Sequence, residues 1–445
     1  MNAMTDSRTD SGTDSTSGPP AAQSGAAPRG GAKARRKAVV AGVAGNILEW
    51  YDFGVYGFLA AIIARSFFPS ASGVGSLLIA FATLGVGFVA RPVGSIVLGH
   101  LADRRGRKTV LTLTIFLMAG STVAIGILPT YATAGVLAPV LLVLARLVQG
   151  FAAGGEWGSA TAFITEWAGE GRRGFVGAFQ QSSIAIGLLL GSGVTAILAS
   201  SLGAADLEGW GWRIPFLLGA VLGPVGAYMR RNIAEPPVYR SASPSGRLSR
   251  ADFFRRILHA IVFVAIWGVA SYMVTVYMPT FGQTYGGLTR SETLWSVTIA
   301  LALTAVLAPA FGHVSDRIGR KPVLLAGCAG FLVLSYPLYG AVLSHPGSVP
   351  VFLAVQCSLV ALYSLLAGAG PAYLTEAFPT YIRTTGISVA GACAGLFGGF
   401  APLTVTWIIQ GTGAATAAGT FLALVALVSL PAVLTIRDAA HARLD

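Results

Sequence analysis

The chain has 445 residues, 54% of them hydrophobic and only 11% charged, and it carries a formal net charge of +12. Soluble domains carry roughly a quarter charged residues, so the composition argues against an ordinary soluble protein. A nucleic-acid groove is also disfavoured: it needs basic side chains clustered with stacking aromatics on a soluble surface, whereas here the charges fall in short segments between long apolar runs.

In chain order, residues 1–32 are rich in Ser, Thr, Gly, Ala and Asp and contain no apolar run. Such a segment buries too little surface to fold, and residues 1–38 are expected to form a disordered basic tail. Crossing a bilayer takes about 20 apolar residues in a helix that satisfies its own backbone groups. Twelve such spans are predicted, near 39–64, 75–101, 108–128, 134–163, 174–200, 210–229, 257–282, 291–314, 322–343, 349–374, 384–409 and 412–436. The first is too long for the h-region of a cleavable signal and leads straight into a polytopic array. The expected fold is therefore an all-α membrane protein of two six-helix bundles, 39–229 and 257–437, with a linker at 230–256 and a tail at 438–445. The linker holds seven arginines, at 230, 231, 240, 247, 250, 255 and 256, which serve topology alone or also touch anionic lipid. Helix 5 carries Gly187-Leu-Leu-Leu-Gly191, a small-xxx-small spacing suited to close packing in lipid.

Two stretches occur twice. Gly99-His-Leu-Ala-Asp-Arg-Arg-Gly-Arg-Lys108 returns 213 positions later as Gly312-His-Val-Ser-Asp-Arg-Ile-Gly-Arg-Lys321, with seven of ten residues identical. Ala162-Phe-Ile-Thr-Glu166 returns as Ala372-Tyr-Leu-Thr-Glu376, and Arg173 has a counterpart in Arg383, both at a spacing of 210. Parallel internal repeats of apolar helices are the pattern of a transporter.

Basic residues are retained on the cytoplasmic side of a membrane. Of the 30 Lys and Arg, 25 fall in the two tails, the 2–3, 4–5, 8–9 and 10–11 loops and the linker. Both termini are therefore expected in the cytoplasm, with the protein in the plasma membrane. Cys328, Cys357 and Cys393 lie inside spans without metal or redox spacing. No Walker sequence, His-Glu-x-x-His pattern or nucleophile elbow is present, and the five histidines sit in loops or at span ends. An enzyme or ATP-driven pump therefore has no visible engine, and no metal or cofactor is expected.

The Gly-x-x-x-Asp-Arg-x-Gly-Arg-Lys loop between helices 2 and 3, repeated between 8 and 9, resembles the signature loop of the major facilitator superfamily. Arg146-Leu-Val-Gln-Gly150 followed by Gly154-Gly155-Glu156-Trp157 resembles its helix-4 motif. Gly45-Asn-Ile-Leu-Glu-Trp-Tyr-Asp-Phe53, Arg91-Pro-Val-Gly94 and Trp210-Gly-Trp-Arg-Ile-Pro-Phe216 narrow the resemblance to the metabolite:proton symporters, which include carriers of proline and betaine, 2-oxoglutarate, citrate and shikimate. The resemblance spans about residues 39–437. It implies a cytoplasmic gate made of Asp103, Arg107, Glu166 and Arg173 with Asp316, Arg320, Glu376 and Arg383. The alternative is ordinary topology charge and capping, since Asp103 and Asp316 stand near helix N-termini.

Ionisable groups inside spans cost several kcal/mol unless they are paired or line a cavity, so they mark function. Glu49, Asp52, Arg91 and Arg146 stand out. Glu49 lies twelve residues beyond Lys37 and Arg91 twelve before Asp103, which puts both roughly 18 Å inside the membrane, near its midplane. At 100° per residue, Asn46, Glu49, Asp52, Phe53 and Tyr56 share an arc of about 120°, a polar and aromatic face that points into a cavity. Glu49 or Asp52 is the candidate proton carrier, with Arg146 placed by the resemblance near enough to modulate it; a buried structural ion pair is the alternative.

Arg91 is the candidate carboxylate ligand, because a guanidinium fork stays charged and binds bidentately. Asn46, Tyr56 and Arg213 join it as candidate substrate contacts, although Arg213 begins near the outer interface, where a snorkelling arginine is equally expected. The second half offers no intramembrane charge, only aromatics such as Trp267, Tyr272, Tyr277, Tyr363 and Tyr373. Of these, Tyr272 and Tyr277 are candidate walls that could cage a cationic head; packing and an interfacial belt are the alternatives. Residues alone do not separate an anionic substrate from a zwitterion. Superfamily antiporters carry Gly-x-x-x-Gly-Pro in helix 5; Gly191 here is followed by Ser192, which favours proton-coupled import by symport over efflux. An exporter, or a sensor on the same fold, is the runner-up. The expected partners are a small-molecule substrate, the proton and the bilayer, with one chain forming a complete, monomeric carrier.

Overall fold

The protein, seen in a computed structural model, is described at residues 31–69, 73–169, 171–220, 223, 228, 249–438 and 440. In the first half α1 covers Gly31–Phe67, α2 Gly73–Arg105, α3 Arg107–Ile127, α4 Leu137–Glu166, α5 Phe179–Ser201 after a short turn at Arg173–Gly177, and α6 begins at Arg213–Leu217. In the second, α7 covers Arg250–Tyr272, α8 Arg290–Ile318, α9 Arg320–Ser344, α10 Val349–Ala377, α11 Arg383–Thr412 and α12 Ala417–Leu434. Helix α7 continues through a π turn at Met273–Tyr277 into Met278–Thr284. Among the described residues, nine helices are long and apolar enough to cross a membrane.

Two boundaries differ from expectation. Helix α1 starts at Gly31, eight residues inside the expected disordered tail, because its Ala, Lys and Arg are good helix formers and extend a helix already nucleated in the span. Helix α7 starts at Arg250, inside the expected linker, where the Ser249 side chain accepts from the Asp252 N–H and caps it. The expected disorder of residues 1–30, most of the linker (229–248) and the end of the C-terminal tail (439 and 441–445) lie outside the described residues.

The duplication is structural. In the first half α1 packs on α5, α2 on α4 and α3 on α6; in the second, α7 packs on α11, α8 on α10 and α9 on α12. The halves meet through α2 against α11 and α8 against α5, again a symmetric exchange. Gly106 and Gly319, the single residues separating α2 from α3 and α8 from α9, adopt nearly the same backbone, φ 98° and 97°, which L side chains rarely enter. The repeated decapeptide is thus a repeated turn.

Glycine also sets the helix spacing. A Cβ on Gly150 or Gly154 of α4 would overlap the α2 backbone at Gly87 and Arg91, and one on Gly187 would overlap α1 at Ile47. Such close approach brings polar side chains on these helices within reach of one another. Away from the interface, large apolar side chains such as Val89, Val93, Val306, Val333 and Leu403 face outward, a surface suited to lipid.

Candidate functional site

Two features sit on the interface between the halves, and a third lies behind it inside the first half. On the side of the repeated loops, a buried charge network joins them. Glu166 accepts from Arg107 of its own half at 3.2 Å and from Arg383 of the other at 2.7 Å. Its counterpart Glu376 pairs with Arg320 of its own half at 3.0 Å and Arg173 of the other at 3.3 Å. Asp103 accepts the N–H groups of Thr384 and Thr385 at the start of α11, and Asp316 those of Gly174 and Phe175 before α5. Each aspartate thus reaches across the interface to the positive end of the partner half's helical segment. The structure brings all eight of these residues into two symmetric clusters that bridge the halves.

Deeper in, a cavity of about 170 Å³ lies between the halves. The first half contributes Glu49, Trp50, Phe53, Arg91, Trp157 and Gln181; the second contributes Trp267, Tyr272, Thr304 and Tyr363. The half-buried Arg91 stacks its guanidinium carbon 4.6 Å from the Phe88 ring and 5.2 Å from Phe53. Phe88 in turn meets Tyr272 edge-on at 6.0 Å, which links the arginine to the opposite wall. Trp157 and Trp267 meet edge-on at 5.6 Å, and Gln181 donates to the Tyr363 hydroxyl at 2.7 Å, so aromatic walls close the rest.

Behind the cavity, α1, α3 and α4 share a buried polar chain. Arg146 donates to Gln149 at 2.7 Å, Gln149 to Thr122 at 2.8 Å, and Thr122 to Asp52 at 2.9 Å. The Arg146 guanidinium carbon lies 3.2 Å from the centre of the Tyr56 ring. Arg146 therefore reaches Asp52 through two neutral side chains rather than directly.

Several expected substrate contacts lie elsewhere. Asn46 donates to Ser183 and to the Gln180 carbonyl, tying α1 to α5 away from the cavity lining. Tyr56 lies under Arg146. Arg213 donates to the carbonyls of Gly126 and Leu128 at the end of α3 and stacks on Trp212, as a helix-terminal cap does. Tyr277 is buried against Phe281 in the second half's core. Of the proposed contacts, Arg91 and Tyr272 line the cavity. Sequence reasoning passed over Trp157 and Gln181, and also Gln149 and Thr122; two of these stood inside quoted signatures, with no cue to their partners.

The model of the Major Facilitator Superfamily matches residues 43–294, more than half of the chain. The chain belongs to the major facilitator superfamily. A model described as sugar (and other) transporter matches residues 229–437. A superfamily protein of Escherichia coli (strain K12), named proline/betaine transporter, is 32% identical over 426 residues, covering 91% of this chain and 84% of its own. The proline/betaine transporter of Salmonella typhimurium is 31% identical over the same shares. Among solved structures, the superfamily's proton:xylose symporter XylE matches with a TM-score of 0.80 at 18% identity, over 92% of this chain and 97% of that one. At that identity the match shows the fold: two six-helix bundles spanning a membrane.

Proposed function

We propose that this chain is a proton-coupled symporter that imports a small zwitterionic osmolyte of the betaine or proline kind by alternating access. One observation carries the reading: Arg91 opens, between aromatic faces, into a cavity whose far walls are Trp267 and Tyr272 and whose near wall holds Glu49. Arg91 supplies the bidentate partner of a carboxylate; the aromatic faces and Glu49 suit a desolvated cation. A zwitterion satisfies both ends at once, and names of relatives 31–32% identical agree. A carboxylate buried in the membrane is cheapest to carry when protonated, so Glu49 and Asp52 supply the coupling. Proton arrival neutralises the acid end of the polar chain and loosens its hold on Arg146.

The eight-residue network serves as the cytoplasmic gate and must open for release. By the distribution of basic residues, both termini lie in the cytoplasm and the carrier sits in the plasma membrane. The only coupling ion is the proton; no other cofactor is needed, and a single chain contains both halves of the path.

Counterflow in proteoliposomes tests this. Labelled betaine and proline should exchange and, under an inward proton gradient, accumulate, while mono- and dicarboxylates should not. Preferential uptake of a dicarboxylate would move the substrate class to anions, and no accumulation of any member would sink the symport reading.

A further inference from the structure

Glu156 is 1% exposed, lies in the membrane on α4, and has no role in the scheme above. It is turned away from the substrate cavity. Instead it lines a separate cavity of about 20 Å³ enclosed by α1, α3, α4 and α6, with Glu49 and Asp52 as the other titratable groups in its walls. Among the described residues, Leu48, Ile115, Met118, Ala119, Gly219 and Gly223 complete the lining, and none of these titrates. That volume is about what one water molecule needs.

Glu49 is the shared wall. It lines the substrate cavity, this small cavity, and a third space that also touches Arg91 and Arg146. A proton taken from the substrate cavity at Glu49 therefore has a second way onward, behind α1.

Each of the two deeper acids meets a threonine of α3. Thr122 accepts from Gln149 and donates to Asp52. Thr114, eight residues earlier on the same helix, contacts both Glu156 and, at 3.2 Å, the Leu111 carbonyl. Glu156 is thus an intramembrane acid held against α3, beside the small cavity it shares with Glu49.

We propose that Glu156 is a proton-relay residue, which takes the coupling proton from Glu49 across the small cavity and passes it toward the cytoplasm inside the first bundle, apart from the substrate path. In the transfer one O–H bond breaks at the Glu49 carboxylic acid and one forms at the Glu156 carboxylate, through the intervening water, with no change in the net charge of the pair. From Glu156 the next carboxylate along α4 is Glu166, ten residues and roughly 15 Å nearer the cytoplasm, within the gate. Opening the gate would then expose the end of the proton path and the substrate exit together.

The inference rests on the proton-symport reading, and one experiment separates them. Wild type, E156Q and E156D are reconstituted in proteoliposomes and assayed for counterflow of labelled betaine and proline at equal pH, for accumulation under an inward proton gradient, and for substrate-driven proton uptake with a trapped pH dye. E156Q should keep counterflow within about twofold while accumulation and proton uptake fall at least about tenfold, and E156D should restore part of both. Wild-type-like accumulation by E156Q overturns the relay. So does loss of counterflow together with accumulation in both variants, which marks a packing role. Counterflow by the wild type without proton uptake overturns the symport reading itself.

Discussion

The two halves share a topology but differ inside. The second half packs as one continuous apolar core, running from Phe263 and Trp267 on α7 through Phe331 on α9 to Leu422 on α12. Among the described residues of the first half the buried apolar side chains fall into three smaller clusters, one around Tyr51, Tyr56 and Trp212, one around Ala38 and Phe163, and one around Leu98 and Val110. Between them run Asp52, Thr122, Gln149, Arg146, Thr114 and Glu156. The second half has a close-packed interior, whereas the first carries buried ionisable groups that are costly in a membrane unless used. The backbone packing is symmetric throughout, and symmetry of buried charge is kept in the two clusters beside the repeated loops.

That contrast can be broken by substitution. The largest effect is expected for Asp52→Asn, which leaves the polar chain without its acid end: gradient-driven accumulation should vanish while exchange at equal pH persists, and loss of both in the same flux assay would mean that Asp52 merely holds the bundle together. Next comes Arg91→Lys, which keeps the charge but loses the fork; KM for betaine should rise about a hundredfold with little change in thermal stability. In the other half, Tyr272→Leu should raise KM about tenfold without altering proton coupling, since it removes a cation-facing wall and a contact to Phe88. A stronger effect on coupling than on KM would erase the proposed division of labour. Smallest, Asp103→Asn and Asp316→Asn should each slow turnover only several-fold and by similar factors, with cysteine labelling of the cytoplasmic side rising in both; unequal effects would show that the gate is less symmetric than its contacts.

The spans and the charge clusters beside the repeated loops were legible because both depend on quantities a sequence carries directly: run length, charge placement and the spacing between copies. The repeats at 210 residues match Glu166 with Glu376 and Arg173 with Arg383, but do not say which arginine each glutamate meets. The interior was harder. The arc of α1 containing Asn46, Glu49, Asp52, Phe53 and Tyr56 does face inward, but inward has three meanings here. Asn46 meets α5, Glu49 and Phe53 meet the cavity, and Asp52 and Tyr56 meet α3 and α4. Helical periodicity gives an azimuth; only the neighbouring helix decides whether that azimuth is filled. Thr114 and Thr122 escaped notice for a related reason, since a lone hydroxyl on an apolar helix bonds to its own backbone as readily as to a carboxylate.

In the proposed cycle, helix α2 would join recognition to release mechanically. Arg91 stands beside the substrate cavity, Asp103 stands in the gate, and Pro92 between them lacks the N–H that would stiffen the rod at that level. The segment beyond Pro92 is a lever arm of roughly 18 Å, so a tilt of about 10° at its pivot carries Asp103 roughly 3 Å sideways. Hydrogen bonds of 3.1 and 2.9 Å to Thr384 and Thr385 do not survive such a displacement. A shift too small to reshape the cavity around its cargo is thus large enough, at the far end of the same helix, to unlatch the door.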